Sequence, residues 1–290
     1  MRFHYQIGMC DADHYLPLAQ AAEAAGYHGV TVPDSLCYPE HADSRYPYNV
    51  DGSREFLDGV PFVESLIAVT AMAAVTERIR FATFVYKLAV RQIVGVAKQV
   101  QSIQVLSGGR FDFGVGISPW AEDFAVMQTS PEARGRRLDE QIEIFRGLEG
   151  GAYFGYSSAL HDLPSCRMCP VPDSPTELLI GGHSDAALRR AAELGDGWMC
   201  AGAATPDLAG FIRRLGALRA EAGRAEQPFR VFAGSADGFS AEGLERLAQI
   251  GVTDLVVSFR DVYAREEDKP LDDKIAMLNW YAVEFVGGAV

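Results

Sequence analysis

The residues best suited to chemistry lie in Glu177 to Trp198, ELLIGGHSDAALRRAAELGDGW, where a glycine pair separates an apolar triplet from a helical pattern. Leu178, Leu179 and Ile180 read as a buried strand, and Ala187, Leu188, Ala191, Ala192 and Leu194 as the inner face of a helix capped at His183-Ser184. Glycine lets backbone approach a ligand with no Cβ in the way. The first turn of a helix adds N–H groups without intrahelical partners and the positive end of its dipole. The chemistry this permits at Gly181, Gly182, His183 and Ser184 is the holding of a phosphate. A tight turn before a serine-capped helix that binds nothing has the same spelling.

Other chemistry-bearing groups are scattered. The five cysteines are Cys10, Cys37, Cys166, Cys169 and Cys200, an odd number without a disulfide framework, as expected in a reducing compartment. Cys166 and Cys169 form a CxxC, which fits a weak zinc site or a proline-flanked loop that happens to hold two thiols. The chain contains no HExxH, no phosphate-binding Walker loop and no recognisable pairing of nucleophile and base.

The whole chain must supply the scaffold. Its 290 residues, 48% hydrophobic and 22% charged, suffice for a large core. The formal net charge of −13 repels nucleic acid and anionic membranes, which leaves a small molecule as the expected partner. Apolar runs end well before membrane-spanning length and the N-terminus lacks a signal peptide's apolar core, so a cytoplasmic protein is expected.

The pattern predicts a strand over Phe3 to Met9, a helix from about His14 to Ala25, and a strand over His28 to Pro33 that delivers Asp34 and Ser35 at its end. Residues 36 to 60 then form a long polar and aromatic loop, whose Tyr38, His41, Arg45, Tyr46 and Tyr48 either roof a pocket or make a solvated excursion. Further strands are predicted over Ile79 to Tyr86, Phe111 to Ile117, Leu178 to Ile180, Trp198 to Ala201, Phe229 to Ala233 and Asp254 to Phe259, each followed by helical periodicity. The helix at about Pro206 to Ala222 takes Thr205 as its cap, and residues 150 to 175 read as a proline-rich insertion with little periodicity. Eight strand–helix units in one domain, 1 to 290, close most naturally into a (β/α)8 TIM barrel. An open doubly wound sheet would want a glycine fingerprint after the first strand, where this chain has Met9-Cys10-Asp11.

Function in such barrels lies at the C-terminal strand ends. Here those ends offer glycine backbone and flat apolar walls, a combination that suggests a cofactor carries the reaction. LSGGRFDFGVG (Leu106 to Gly116), Glu122-Asp123-Phe124, RGRRLDE and LLIGGHSDAALRRAAELGDGW, in this order, resemble the bacterial luciferase-like monooxygenase superfamily of flavin and deazaflavin oxidoreductases, and more closely its coenzyme F420-dependent branch.

The resemblance implies that Gly181, Gly182, His183 and Ser184 hold the phosphate of F420, or alternatively of FMN. It also implies a bulge in the third strand with a non-prolyl cis peptide behind the ring, placed by position at Thr83-Phe84 with Val85 following. Asp34 would lie beside the ring, and Gly116, Ile117 and Ser118 near its polar edge. This chain departs from relatives that read Asp-His after the second strand, having Asp34-Ser35. It also has Ala201-Gly202-Ala203-Ala204 where relatives acting on a sugar phosphate carry polar and cationic groups.

The expected activity is hydride transfer between the deazaflavin and a small organic substrate, with Asp34 and His41 as candidates for proton transfer and residues 36 to 59 excluding water. Lys87, Arg91 and Arg45 either meet an acidic cofactor tail or are ordinary surface cations. Two other readings stand beside this one: an FMN-dependent monooxygenase served by a separate flavin reductase, and a barrel that binds flavin or deazaflavin without turnover. The resemblance also favours a homodimer.

Overall fold

The computed structural model describes residues 1–46, 52–261, 263 and 268–287. In chain order the strands are β1 (Arg2–Gln6), β2 (Gly29–Val32), β3 (Arg80–Thr83), β4 (Tyr86–Lys87), β5 (Phe111–Gly116), β6 (Phe154–Ser157), β7 (Asp162–Cys166), β8 (Leu178–Gly181), β9 (Gly197–Cys200), β10 (Arg230–Ala233) and β11 (Asp254–Val257). The helices are α1 (Tyr15–Ala24), α2 (Ser65–Ala73), α3 (Ile93–Ser107), α4 (Ala121–Val126), α5 (Arg134–Glu149), α6 (Asp185–Leu194), α7 (Thr205–Glu221), α8 (Ala241–Gln249) and α9 (Leu271–Tyr281).

Every pairing in the main sheet is parallel. β3-β2-β1-β11-β10-β9-β8-β5 closes on itself through β3–β5, giving the expected (β/α)8 barrel of eight strands, with short β4 resuming the third. Helices cover the outer faces, so strands such as Gly29–Val32, Gly197–Cys200 and Asp254–Val257 are buried along their whole length and read as continuous apolar runs. Ala82, Leu179, Met199, Phe232 and Val256 fill the barrel's interior, with Phe84 and Val85 packed on them. The filling is tight: a Cβ on Gly114 would sit 2.6 Å from Met199 Sδ and closer still to the Thr83 carbonyl oxygen.

A charged plug closes the N-terminal end. Arg230 bridges Asp254 at 2.7 Å and Asp112 at 2.6 Å, while His4 Nε2 lies 2.7 Å from Asp254 and Arg80 pairs with Asp112. Burial alone would raise the carboxyl pKa values of both aspartates. The arginines, and His4 at Asp254, reverse that and hold both below the usual range.

Three local expectations need correction. Residues 150 to 175 contain an antiparallel hairpin, β6–β7, whose tip is tied to α5 where Ser158 Oγ and His161 Nδ1 meet Glu140 at 2.6 and 2.9 Å. Its period-2 pattern lasts only four residues, too short to stand out among the prolines. Thr205 opens α7 rather than capping it, because its hydroxyl donates to Asp237 at 2.6 Å and Ala204 takes the cap position. The third strand is broken: from Ala82 to Tyr86 it advances four residues while β5, from Asp112 to Val115, advances three, so one extra residue bulges out. Among the described residues no helix is long and apolar enough to cross a membrane.

Candidate active site

The C-terminal strand ends open into one cleft of about 1100 Å³, its open mouth included. Asp34 follows β2, Phe84 and Val85 form the bulge between β3 and β4, Gly116 and Ile117 end β5, and Gly181 and Gly182 end β8; all of these line the cleft. The sequence expectation therefore converges on one place for seven of its site residues.

The bulge is set by its neighbours. Phe84 N–H donates to the Val32 carbonyl at 2.8 Å, and the Phe84–Val85 peptide is cis. That is one residue beyond the expected Thr83-Phe84. Thr83 still belongs to the strand: it is fully buried and donates its hydroxyl to the Gly114 carbonyl at 2.7 Å, so it does not face the cleft. Val85 then occupies the space above two strand ends. A Cβ on Gly116 would come within 2.8 Å of Val85 Cγ2, and one on Gly181 within 2.8 Å of Cγ1. Those two glycines are required by Val85 whether or not a ligand is present.

Asp34 sits in the wall with its carboxylate fully engaged. Arg91 grips it bidentately at 2.7 and 2.9 Å, Lys87 N–H donates at 2.9 Å, and the Ser65 hydroxyl donates at 3.3 Å. Burial would lower the Arg91 pKa, but the Asp34 charge more than offsets this and raises it. The geometry makes Asp34 a positioning residue rather than the proton donor the sequence suggested. Arg91 is likewise not a tail-binding cation. Lys87 Nζ turns inward to Asp123 at 2.7 Å, and Asp123 also accepts from Ser118 Oγ at 2.5 Å. Ser118 consequently faces Asp123 and lies outside the cleft wall, contrary to its expected place at a ring edge.

Beyond Gly181 the chain turns at Gly182, φ +124°, a conformation that favours glycine. Trp198 Nε1 holds the Gly182 carbonyl at 2.8 Å, and Ser184 caps α6 by accepting from Ala187 N–H at 3.2 Å. His183 packs sideways, 3.2 Å from Cys200 Sγ and stacked on Phe211 at 5.1 Å. Burial lowers its pKa and pushes the Cys200 thiol up to about 11, so imidazole and thiol are both neutral at pH 7. His183 and Ser184 lie past the cleft wall, at the first turn of α6.

Part of the long loop does form a roof. Tyr46 stacks on Trp120 at 4.9 Å, Arg54 lies 3.9 Å from the Trp120 ring, and Tyr263 packs against both Tyr46 and Phe56. Glu122 fastens this roof: Oε1 accepts from the Asp43 and Ser44 amides at 3.0 and 3.1 Å, and Oε2 from Arg54 at 3.2 Å. Burial would raise the Glu122 pKa, and hydrogen bonds from its own amide, the Ser44 side chain and the Ser44 and Asp43 amides lower it. His41 and Tyr38 are exposed and do not line the cleft, so His41 is not placed for proton transfer. Arg45 is exposed as well and is no part of the wall; Tyr48 lies outside the described residues. Cys166 and Cys169 belong to no group of three potential metal ligands among the described residues.

The family described as luciferase-like monooxygenase matches residues 4–242. The chain belongs to that family. An uncharacterised protein of Mycobacterium tuberculosis is 48% identical over 283 residues, covering 97% of this chain and 98% of its own length. Monooxygenase RslO1 from Streptomyces bottropensis has the same fold, with TM-score 0.75, 15% identity and 100% of both chains covered. So does an F420-dependent secondary alcohol dehydrogenase solved with an F420–acetone adduct, with TM-score 0.76, 15% identity and 97% and 98% coverage.

Within this luciferase-like barrel, Met9, Phe56, Leu57, Phe62, Met199 and Tyr263 also face the cleft and were not legible as site residues. Tyr263 arrives from beyond the last strand and Met9 sits at φ +57°; neither a long-range contact nor a left-handed backbone leaves a local sequence signal. Trp120 had one, since it stands four residues past the end of β5 in the run GVGISPW.

Proposed function

We propose that this luciferase-like protein is an oxidoreductase that holds coenzyme F420 in the cleft and acts on a small organic substrate. The observation that carries the reading is that the glycine turn opening on α6 and the Phe84–Val85 bulge face the same cleft. The residues fit such a group: Gly181 and Gly182 with the first turn of α6 would hold its phosphate, and Phe84, Val85, Ile117 and Met199 give a flat ring an apolar bed. When bound, the deazaflavin supplies or accepts a hydride. Arg91 fixes the orientation of Asp34 beside the bulge. The roof of Tyr46, Phe56, Trp120 and Tyr263 excludes water and fixes the substrate's plane.

Membership of a family described as luciferase-like monooxygenase supports a second reading, an FMN-dependent monooxygenase fed by a separate flavin reductase. Titration of the purified protein with F420 and with FMN, followed by fluorescence quenching, separates the two, and oxygen uptake with added reduced FMN reads the second directly. Gly182→Val should abolish binding of whichever cofactor is used. Unchanged affinity in that variant refutes the phosphate assignment, and binding without redox exchange across a substrate panel makes the protein a carrier. A homodimer belongs to the same proposal, since Ile67 on α2 and Val105 and Leu106 on α3 leave apolar surface exposed; sedimentation velocity tests it.

A further inference from the structure

The charges around the cleft are matched before any substrate arrives. Asp34 is paired with Arg91, Lys87 with Asp123, and Arg54 with Glu122. A charged substrate would add an uncompensated ion to a wall of Pro33, Phe62, Phe84, Val85 and Met199 under an aromatic roof, and desolvating that ion is unfavourable. The cleft is therefore built for an uncharged, flat molecule.

Among the wall residues with hydrogen-bonding capacity in reserve, Lys87 alone carries a charged donor. An ammonium has three N–H donors, and Lys87 Nζ meets a single acceptor among the described residues, Asp123 Oδ2 at 2.7 Å. Asp123 is in turn fixed by the buried Ser118 hydroxyl at 2.5 Å, so the lysine head has little freedom to swing. The Lys87 side chain is 10% exposed against 1% for Asp123, and Lys87 belongs to the cleft wall where Asp123 does not. The other wall groups offer less: Gln6 and Ser35 also line the cleft without a side-chain partner but present only neutral donors, weaker than an ammonium, Asp34 is engaged by four donors, and the Tyr46 and Tyr263 hydroxyls bond to each other.

From this we infer that Lys87 is the substrate-orienting residue, donating from Nζ to the oxygen of an uncharged aromatic or conjugated carbonyl compound, with Asp123 and Ser118 as its positioning residues. The inference rests on the oxidoreductase reading for its biological meaning. The hydrogen bond itself requires no cofactor.

The test uses 4-(dimethylamino)cinnamaldehyde, an uncharged conjugated carbonyl whose absorption moves to longer wavelength when its oxygen accepts a strong hydrogen bond. It is titrated into the native protein without added cofactor. The expected result is a red shift that Lys87→Arg largely keeps and Lys87→Met loses, with binding roughly tenfold to a hundredfold weaker in the latter, the range for a bond to a charged donor. Because Lys87→Met strands the Asp123 charge, the Lys87→Met/Asp123→Asn double variant provides a second protein without the buried ion, and it too should lack the shift. A shift in either Met-containing variant equal to the native one overturns the inference. So does the absence of any shift in native protein, or a covalent imine at Lys87 seen by mass spectrometry, which would make the amine a nucleophile. F420 and FMN titrations on the same samples keep the readings apart: failure of both cofactors to bind sinks the oxidoreductase proposal while leaving the carbonyl shift to be judged alone.

Discussion

Gly181→Ala isolates the contact on which the ring's bed depends. Gly181 does not need a left-handed backbone, so the added methyl acts only by volume. It would stand 2.8 Å from Val85 Cγ1, 3.0 Å from Cγ2 and 3.4 Å from Cβ. Carbon atoms rest at about 3.5–4.0 Å, so Val85 must retreat by roughly 0.7 Å, and one of its open sides is the cleft. Overpacking of this size costs about 1–3 kcal/mol. If the displaced valine intrudes on the ring's bed, that corresponds to roughly 5- to 150-fold weaker cofactor binding. Val85→Ala alone removes half-buried methyl groups, worth about 0.8 kcal/mol each when fully buried, and should weaken binding by less than about tenfold. In the double variant the new methyl occupies the space the old ones left. Its affinity should return close to that of Val85→Ala, a favourable coupling of about 1–3 kcal/mol. The assay is a fluorescence titration of the cofactor into all four proteins, with urea midpoints as a second readout that works without any cofactor. Unchanged affinity and midpoint in Gly181→Ala would refute the reasoning, and so would losses that add in the double variant.

Glu122→Gln keeps an oxygen for the Asp43 and Ser44 amides but removes the charge facing Arg54; about 1.5–3 kcal/mol of roof attachment should be lost, read as faster proteolysis within residues 36 to 59 and a changed Trp120 emission. Arg230→Met leaves two buried aspartates short of a partner and should destabilise the protein by about 3–5 kcal/mol in urea, with no direct effect on the cleft at the opposite end of the barrel. Acid should weaken the fold in two windows. His28, whose pKa burial and neighbouring His4 lower from 6.5 to about 4, binds a proton in the unfolded chain first, so stability falls as pH drops between those values. Asp112 and Asp254, depressed below the ordinary carboxylate value of 3.8, stabilise the fold above it and lose that contribution below. Urea midpoints taken across both windows check this, and a flat profile between 6.5 and 4 contradicts the histidine argument.

The barrel was legible because its causes are local and repeated. Each strand is an apolar run wrapped by helices, each helix carries an inner face, and both patterns survive in one dimension. Gly108 and Gly109 in SGGR, both at positive φ, end α3 where the letters say a helix must stop. Strand ends were therefore placed to within a few residues, which was enough to bring Asp34, Phe84, Val85, Gly116 and Gly181 to one cleft. The errors came where a side chain's role depends on a partner far along the chain. Asp34 was read as an acid because nothing near it shows Arg91, 57 residues on, closing over both oxygens. Lys87 was read either as a cation for an acidic cofactor tail or as an ordinary surface cation, because Asp123, 36 residues away, is invisible to periodicity. Glycine hid a second cause. Gly181 read as room made for a ligand, and the tightest neighbour of both Gly181 and Gly116 is Val85 of the same chain.

The shape of the cleft thus follows from two separable requirements. The glycines admit Val85, and Val85 with Phe84 makes the bed. The ion pairs neutralise the wall, and neutrality selects the ligand. A substitution that disturbs packing at the bed should change cofactor affinity and leave the preference for uncharged substrates intact. One that unbalances the wall, such as Asp34→Asn beside Arg91, should shift that preference toward anions, since the freed guanidinium adds a net positive charge to the cleft. Comparing a neutral carbonyl ligand with its carboxylate analogue in Gly181→Ala and Asp34→Asn separates the two. If both variants lose both ligands in equal proportion, bed and wall are one cooperative unit and the division fails.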